Sequence, residues 1–151
     1  MATYVAGLPA GETQNKVALS LVSTWANQDP QSAAQWVAQF PEEKVRENAM
    51  QTLMNSWAQN DPGSAGEWLQ TLPQGQSREQ AVQTYVSQLT AQSPEYAAAW
   101  VGEIEDAKQR DTQIQKIAAN WLGLDPTTAT KWINKLNLSK DEKQHLLQKK
   151  Q

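Results

Sequence analysis

The stretch WANQDPQSAAQW at residues 25–36 carries the features that decide the fold of this chain. Its first tryptophan closes an apolar stripe, Asp29-Pro30 follows, and an alanine and a second tryptophan come next at helical spacing. Aspartate caps a helix N-terminus with its side chain, and proline is well tolerated at the first helical position. The stretch therefore predicts the end of one helix and the start of another.

The same pattern recurs along the chain with a 32-residue period. Four columns share this period: Pro30, Pro62, Pro94, Pro126; Ala33, Ala65, Ala97, Ala129; Trp36, Trp68, Trp100, Trp132; and Trp25, Trp57, Leu89, Trp121. Self-similarity at a period of about 20–50 residues is typical of repeat architectures. The sequence of each 32-residue unit predicts two helices. A longer helix A carries an apolar stripe at helical period, and a shorter helix B follows it and begins at the proline.

Helix boundaries are expected from local signals in each unit. Aspartate, or Ser93 in the third unit, is expected to cap helix B. Pro9, Pro41 and Pro73 are expected to end it, since the residue before a proline avoids the helical region. Two capping boxes are expected at the start of helix A, formed by Ser77 with Gln80 and by Ser139 with Glu142.

The predicted fold is all-α, because the sequence contains no sustained strand pattern. Short connections make consecutive helices antiparallel, which predicts an α-solenoid: a superhelical stack of helix pairs with about ten helices. A single repeat domain is expected over 1–151, with a partial helix B at 4–9, hairpins at 11–41, 43–73, 75–105 and 107–138, and a final helix A at 139–150.

The motif W-A-x-x-D-P-x-x-A-x-x-W, seen at 25–36 and again at 57–68, resembles bacterial tandem helical-hairpin repeats akin to tetratricopeptide and Sel1-like α-solenoids. The resemblance covers nearly the whole chain, and its 32-residue period is slightly shorter than that of tetratricopeptide repeats. It implies a role in protein–protein recognition or scaffolding.

Composition argues against several other classes of protein. The chain has no cysteine, a single histidine, His145, and a net charge of −3, which disfavour thiol chemistry, a histidine base, zinc binding and nucleic-acid binding. Its acidic pairs lie in polar turns, and it contains no signal-peptide pattern and no apolar run of the ~20 residues that span a bilayer. We therefore expect no enzyme activity, with no catalytic, cofactor-binding or metal-binding residues, and no nucleic-acid or membrane partner.

The seven tryptophans are expected to pack in the repeat core, because they recur in the apolar columns. They are Trp25, Trp36, Trp57, Trp68, Trp100, Trp121 and Trp132. The opposite side of helix A is polar and nearly uncharged, whereas a merely solvated helix is usually rich in Glu and Lys. Its expected groove-lining residues are Lys16, Ser20, Asn48, Thr52, Asn55, Gln80, Gln83, Thr84 and Lys116.

Two functions are consistent with this pattern. The first is a non-enzymatic scaffold that binds a protein or an extended peptide in a polar concave groove lined by the A helices. The alternative is a structural spacer or self-assembling segment of a longer array, in which copies of the chain stack end to end. The partial helix at 4–9 and the lysine-rich segment 131–151 would meet in such a stack.

Overall fold

A computed structural model of the chain describes residues 11–40 and 43–148. Regular structure within these ranges is entirely helical, and they contain no strand. The all-α class expected from the sequence is thereby confirmed. The partial helix expected at 4–9, the helix-ending prolines Pro9 and Pro41, and residues 149–150 of the final helix lie outside the described residues.

Nine α-helices and one 3-10 turn make up the described part of the chain. In chain order they are α1 (Glu12–Ala26), α2 (Pro30–Val37), α3 (Glu43–Asn60), α4 (Pro62–Thr71), α5 (Gln76–Leu89), α6 (Pro94–Trp100), the 3-10 turn Val101–Glu103, α7 (Ala107–Leu124), α8 (Pro126–Lys135) and α9 (Lys140–Gln148). The odd-numbered helices are called A helices below, and the even-numbered ones B helices.

Each B helix begins at a proline of the 32-residue column: Pro30, Pro62, Pro94 and Pro126. The preceding aspartate caps three of them. Asp29, Asp61 and Asp125 each accept a hydrogen bond from the backbone N–H three residues later, at 3.0, 3.1 and 3.1 Å. These bonds satisfy N–H groups that have no partner inside the helix. The helix starts predicted from Asp-Pro are confirmed.

Two of the expected caps are wrong. Ser93 precedes α6 but its side chain makes no capping hydrogen bond. Ser77 lies inside the first turn of α5, because that helix already begins at Gln76. Gly75 precedes it with a φ of 151°, a conformation that residues with a Cβ rarely adopt, so a glycine turn sets this helix start.

The capping box expected before α9 is confirmed. The Ser139 N–H donates to Glu142 Oε2 at 2.8 Å, and the Glu142 N–H donates to Ser139 Oγ at 3.2 Å. An aspartate also caps α7, since Asp106 Oδ1 accepts a hydrogen bond from the Gln109 N–H at 2.8 Å. The A helices thus begin with chemically different signals, whereas the B helices all begin with proline.

The chain divides into two compact units, residues 1–85 and 86–151. In the first unit α1 packs against α2 and α3, and α3 packs against α2 and α4. Its fully buried core residues include Val22, Val37, Leu53, Met54 and Trp57. Tyr85 is also fully buried, and its hydroxyl donates to the Pro62 carbonyl at 2.8 Å. This bond joins α5 to the start of α4.

In the second unit α7 is the central element. It packs against α6, the 3-10 turn, α8 and α9, and α9 also contacts α8. The buried core of this unit includes Ile104, Ile117, Ala129, Ile133 and Leu146. These helices therefore bury the apolar stripes that the sequence pattern had indicated for them.

The tryptophans differ in burial. Trp57 is 1% exposed and Trp121 is 8% exposed, whereas the other five keep part of their surface in solvent: Trp25, Trp36, Trp68, Trp100 and Trp132. These five are half-buried, and none of the seven tryptophans is fully exposed. Tryptophan is so large that it is rarely fully buried, and a helix pair covers only part of such a side chain.

Candidate binding surface

The polar side of the A helices is the candidate site, and it is called the A-helix face below. It is defined by the eight residues of the first unit that the sequence singled out: Lys16, Ser20, Asn48, Thr52, Asn55, Gln80, Gln83 and Thr84. The ninth residue singled out, Lys116, lies in the second unit and is described by itself. All nine lie on A helices.

Exposure divides these residues into three groups. Five are exposed, namely Lys16, Ser20, Asn48, Asn55 and Lys116, and three are half-buried, namely Thr52, Gln80 and Gln83. Thr84 is buried, with 8% of its surface exposed, so it does not offer an open contact. The most accessible amides of the face in the first unit are those of Asn48 and Asn55, which lie on α3.

Two neighbouring A helices of the first unit are in contact with each other. α1 packs against α3, and Asn60 Nδ2 donates to Asn27 Oδ1 at 3.3 Å. Each of these asparagines also donates to a backbone carbonyl four residues earlier, that of Ser56 or Ser23, at 2.9 Å. The C-terminal ends of α1 and α3 are therefore linked by exposed amide side chains.

Threonine hydroxyl groups on the face donate hydrogen bonds to backbone carbonyls of their own helix. Thr52 Oγ1 donates to the Asn48 carbonyl at 2.9 Å, and Thr84 Oγ1 donates to the Gln80 carbonyl at 2.9 Å. A threonine held in this way retains its oxygen lone pairs as acceptors. Half-buried Thr52 thus presents an acceptor and a methyl group next to the amides of α3.

Charge on the face is locally compensated. Lys16 Nζ lies 2.9 Å from Glu12 Oε1 in an exposed pair one helical turn apart. Such surface pairs contribute little stability because water screens them. Gln83 Nε2 donates to Glu79 Oε1 at 2.7 Å. The groups offered to a ligand in the first unit are mainly neutral amides and hydroxyls.

Capping sets the ionisation of the acidic residues at the B helices. Hydrogen bonds lower the pKa of Asp29, Asp61 and Asp125 below the usual value. In each case the largest causes are side-chain and then backbone hydrogen bonds from the residue three positions later, namely Ser32, Ser64 and Thr128. A general acid at neutral pH needs the opposite shift, so these carboxylates are suited to capping.

One column of polar residues was missed by the sequence reasoning. Arg46, Arg78 and Arg110 occupy one position of the 32-residue pattern, and two of them make equivalent bonds. Arg46 Nη1 donates to the Phe40 carbonyl at 2.7 Å, and Arg110 Nη1 donates to the Ile104 carbonyl at 2.9 Å. The search for apolar stripes passed over this column, although its spacing was visible. Asn60 was missed because it lies one position outside the 32-residue register of Asn27.

Residues 11–40 and 43–148 contain no helix that is both long and apolar enough to cross a bilayer. Over the same ranges no group of three or more His, Asp or Glu side chains is arranged to hold a metal ion. Comparison of the chain with protein-family models, curated proteins and solved structures gives no significant match.

Proposed function

We propose that this chain is a non-enzymatic scaffold that binds a protein or an extended peptide on the A-helix face. The observation that carries the proposal is the exposed set of neutral polar side chains on adjacent helices α1 and α3, with Asn48 and Asn55 the most accessible amides. An exposed face kept only for solubility is normally rich in charged residues.

We further propose that the helix pairs belong to an α-solenoid. Support comes from the four B helices, which begin at successive prolines of the 32-residue column, and from the Trp–Trp contacts that recur with the same period. The packing of α3 on both α1 and α2 in the first unit supports this proposal, because a solenoid requires contact between neighbouring repeats.

The chemistry of amides fits an extended peptide. Each asparagine or glutamine side chain offers one acceptor oxygen and two N–H donors, which match the carbonyl and N–H groups of a peptide backbone. Backbone hydrogen bonds give affinity with little dependence on sequence, and side-chain pockets add selectivity. The scaffold would contribute prealigned polar groups, so the entropic cost of binding would fall mainly on the peptide.

The experiment begins with a random-peptide display library selected against the full chain. Binders are then measured against the double variant Asn48→Glu/Asn55→Glu, whose carboxylates cannot donate hydrogen bonds. We expect the affinity to fall by about tenfold or more, since unpaired polar groups cost on the order of 1–3 kcal/mol each. The matched control is Gln35→Glu/Gln70→Glu, which makes the same change of charge at exposed amides of α2 and α4.

The control should bind the selected peptides as tightly as the parent chain does. Equal loss of affinity in both double variants would point to a net-charge effect and contradict a site on the A-helix face. Unchanged affinity in the Asn48/Asn55 variant would place the peptide elsewhere on the chain.

A further inference from the structure

The first unit contains a surface cavity of about 350 Å³ at the start of α3 and the connection between α4 and α5. Its lining includes two guanidinium groups, Arg46 and Arg78, and one exposed carboxylate, Glu43. Met50 and Leu72 form part of the apolar wall. The charged groups that line this cavity among the described residues are therefore net positive.

Both arginines of the cavity donate hydrogen bonds within the first unit, and Arg78 makes a further interaction as well. Arg46 Nη1 donates to the Phe40 carbonyl at 2.7 Å, and Arg78 Nη1 donates to Gln74 Oε1 at 3.3 Å. Arg78 is 9% exposed, so water screens its charge less than that of a surface arginine. A guanidinium has five N–H donors in a fixed plane, an arrangement that matches the oxygens of a carboxylate or phosphate.

A second cavity, of about 450 Å³, lies in the second unit and partly overlaps the same place in the 32-residue pattern. Met50 and Arg78 line the first cavity, and Ile114 and Glu142 line the second at the positions two repeats further along the chain. The second cavity is lined by three carboxylates, those of Asp111, Asp141 and Glu142, together with His145. The charged residues that line these two partly overlapping positions are thus mainly of opposite sign.

We propose that the Arg46/Arg78 cavity binds an oxyanion, a carboxylate or phosphate group carried by the bound peptide or protein. Two guanidinium groups beside an apolar wall supply charge-assisted hydrogen bonds in a partly desolvated setting. The carboxylates of the second cavity, Asp111, Asp141 and Glu142, repel the same ligand, so an oxyanion binds in the first cavity and not in the second. Because the oxyanion belongs to the partner, its biological role rests on the proposed function.

The test uses the full chain and small anions, so it does not depend on peptide binding. Inorganic phosphate and acetate are titrated separately at constant ionic strength against a chloride blank, while NMR records the arginine Nε–Hε signals. We expect saturable shifts of the Arg46 and Arg78 signals, with the ring signals of His145 unchanged. Saturation by acetate identifies carboxylate as a ligand, and saturation by phosphate alone identifies phosphate as the oxyanion that the cavity prefers.

Three variants test the assignment. Arg46→Gln should weaken anion binding by about tenfold, the contribution of one hydrogen bond between charged groups. Arg78 is buried, so the second variant is Glu43→Gln, which leaves both arginines in place and should strengthen binding several-fold. Glu67→Gln makes the same change of net charge at an exposed position of α4 outside the cavity, and should have no effect.

The assignment is overturned if neither anion shifts the arginine signals beyond the chloride blank. It is also overturned if Glu67→Gln strengthens binding as much as Glu43→Gln, because net charge would then explain the result. Loss of peptide binding in Asn48→Glu/Asn55→Glu with anion binding retained would separate the two sites. Anion binding without any selectable peptide would contradict the proposed function and leave the oxyanion site standing.

Discussion

The indole ring of Trp57 packs against that of Trp68, with 5.6 Å between ring centroids and 37° between ring planes. The same contact recurs in Trp25–Trp36 at 5.9 Å and 48°, and in Trp121–Trp132 at 5.7 Å and 43°. Aromatic pairs at this distance contribute about 0.5–1.5 kcal/mol beyond the area they bury. Each contact joins an A helix to the B helix that follows it, so one aromatic pair recurs in three helix pairs.

Removal of the buried partner of this pair should be strongly destabilising. We expect Trp57→Ala to lower the free energy of unfolding by about 3–5 kcal/mol, since a fully buried indole leaves a large cavity. Trp68→Ala should cost less, because Trp68 is partly exposed. Urea unfolding followed by circular dichroism measures both. An equal or larger loss for Trp68→Ala would contradict this order of burial.

In the third 32-residue repeat, Leu89 stands where the other repeats have the A-helix tryptophan, and it is fully buried. Restoring the aromatic residue with Leu89→Trp should destabilise the chain by about 1–3 kcal/mol, because a well-packed site has no room for the larger ring. Thermal and urea unfolding provide the measurement, and Leu89→Met is the volume-conserving control. A gain of stability for Leu89→Trp would show that this position can hold an indole ring, as the equivalent positions of the other repeats do.

The hydroxyl of Tyr85 is expected to contribute measurable stability. Tyr85→Phe keeps the buried ring but removes the hydrogen bond to the Pro62 carbonyl, at a cost of about 0.5–1.5 kcal/mol in urea unfolding. Tyr96→Phe is the matched control, since Tyr96 is exposed and its loss of a hydroxyl should leave the unfolding free energy unchanged. Equal stability of the two variants would show that the Tyr85 bond contributes nothing.

Acid should weaken the fold through the capping aspartates. The pKa values of Asp29, Asp61 and Asp125 are lowered in the folded chain, so their contribution is complete above the unfolded pKa, near pH 4. It is lost as the pH falls from there through the lower folded values. The triple Asp→Asn variant keeps good capping residues without a titrating group.

We expect the unfolding free energy of this triple variant to fall less than that of the parent chain between pH 6 and pH 3. Urea unfolding at a series of pH values measures the difference. Identical pH profiles would show that the caps do not contribute to acid unfolding.

Local rules account for the part of the fold that the sequence predicted. Proline fixes a helix start by its own geometry and aspartate caps it by a bond three residues away, so both act without the rest of the chain. Ser77 failed as a cap because the glycine turn at Gly75 starts the helix one residue before it. Ser93 has nearly the same backbone angles as the capping residue Asp29, yet its side chain makes no capping bond. Capping signals alone could not reveal that difference.

Prediction of the candidate site was less complete, because exposure depends on tertiary packing. Helical periodicity placed Thr84 on the same polar side as Asn48, yet Thr84 is buried. The Arg46/Arg78 cavity is lined by residues from two successive repeats. Its positive charge can be recognised only once the fold brings these residues to one surface. The regular spacing was a usable signal for these arginines, whereas the cavity itself could not be inferred from it.

The most direct test of peptide binding on the A-helix face is an NMR footprint of a selected peptide on the isotope-labelled full chain. We expect the largest shifts of backbone and side-chain amide signals at Ser20, Asn48 and Asn55, on the exposed side of α1 and α3. The signals of Gln35 and Gln70, on α2 and α4, should stay in place. A footprint centred on Gln35 and Gln70, with Asn48 and Asn55 unperturbed, would contradict the assignment of the binding surface.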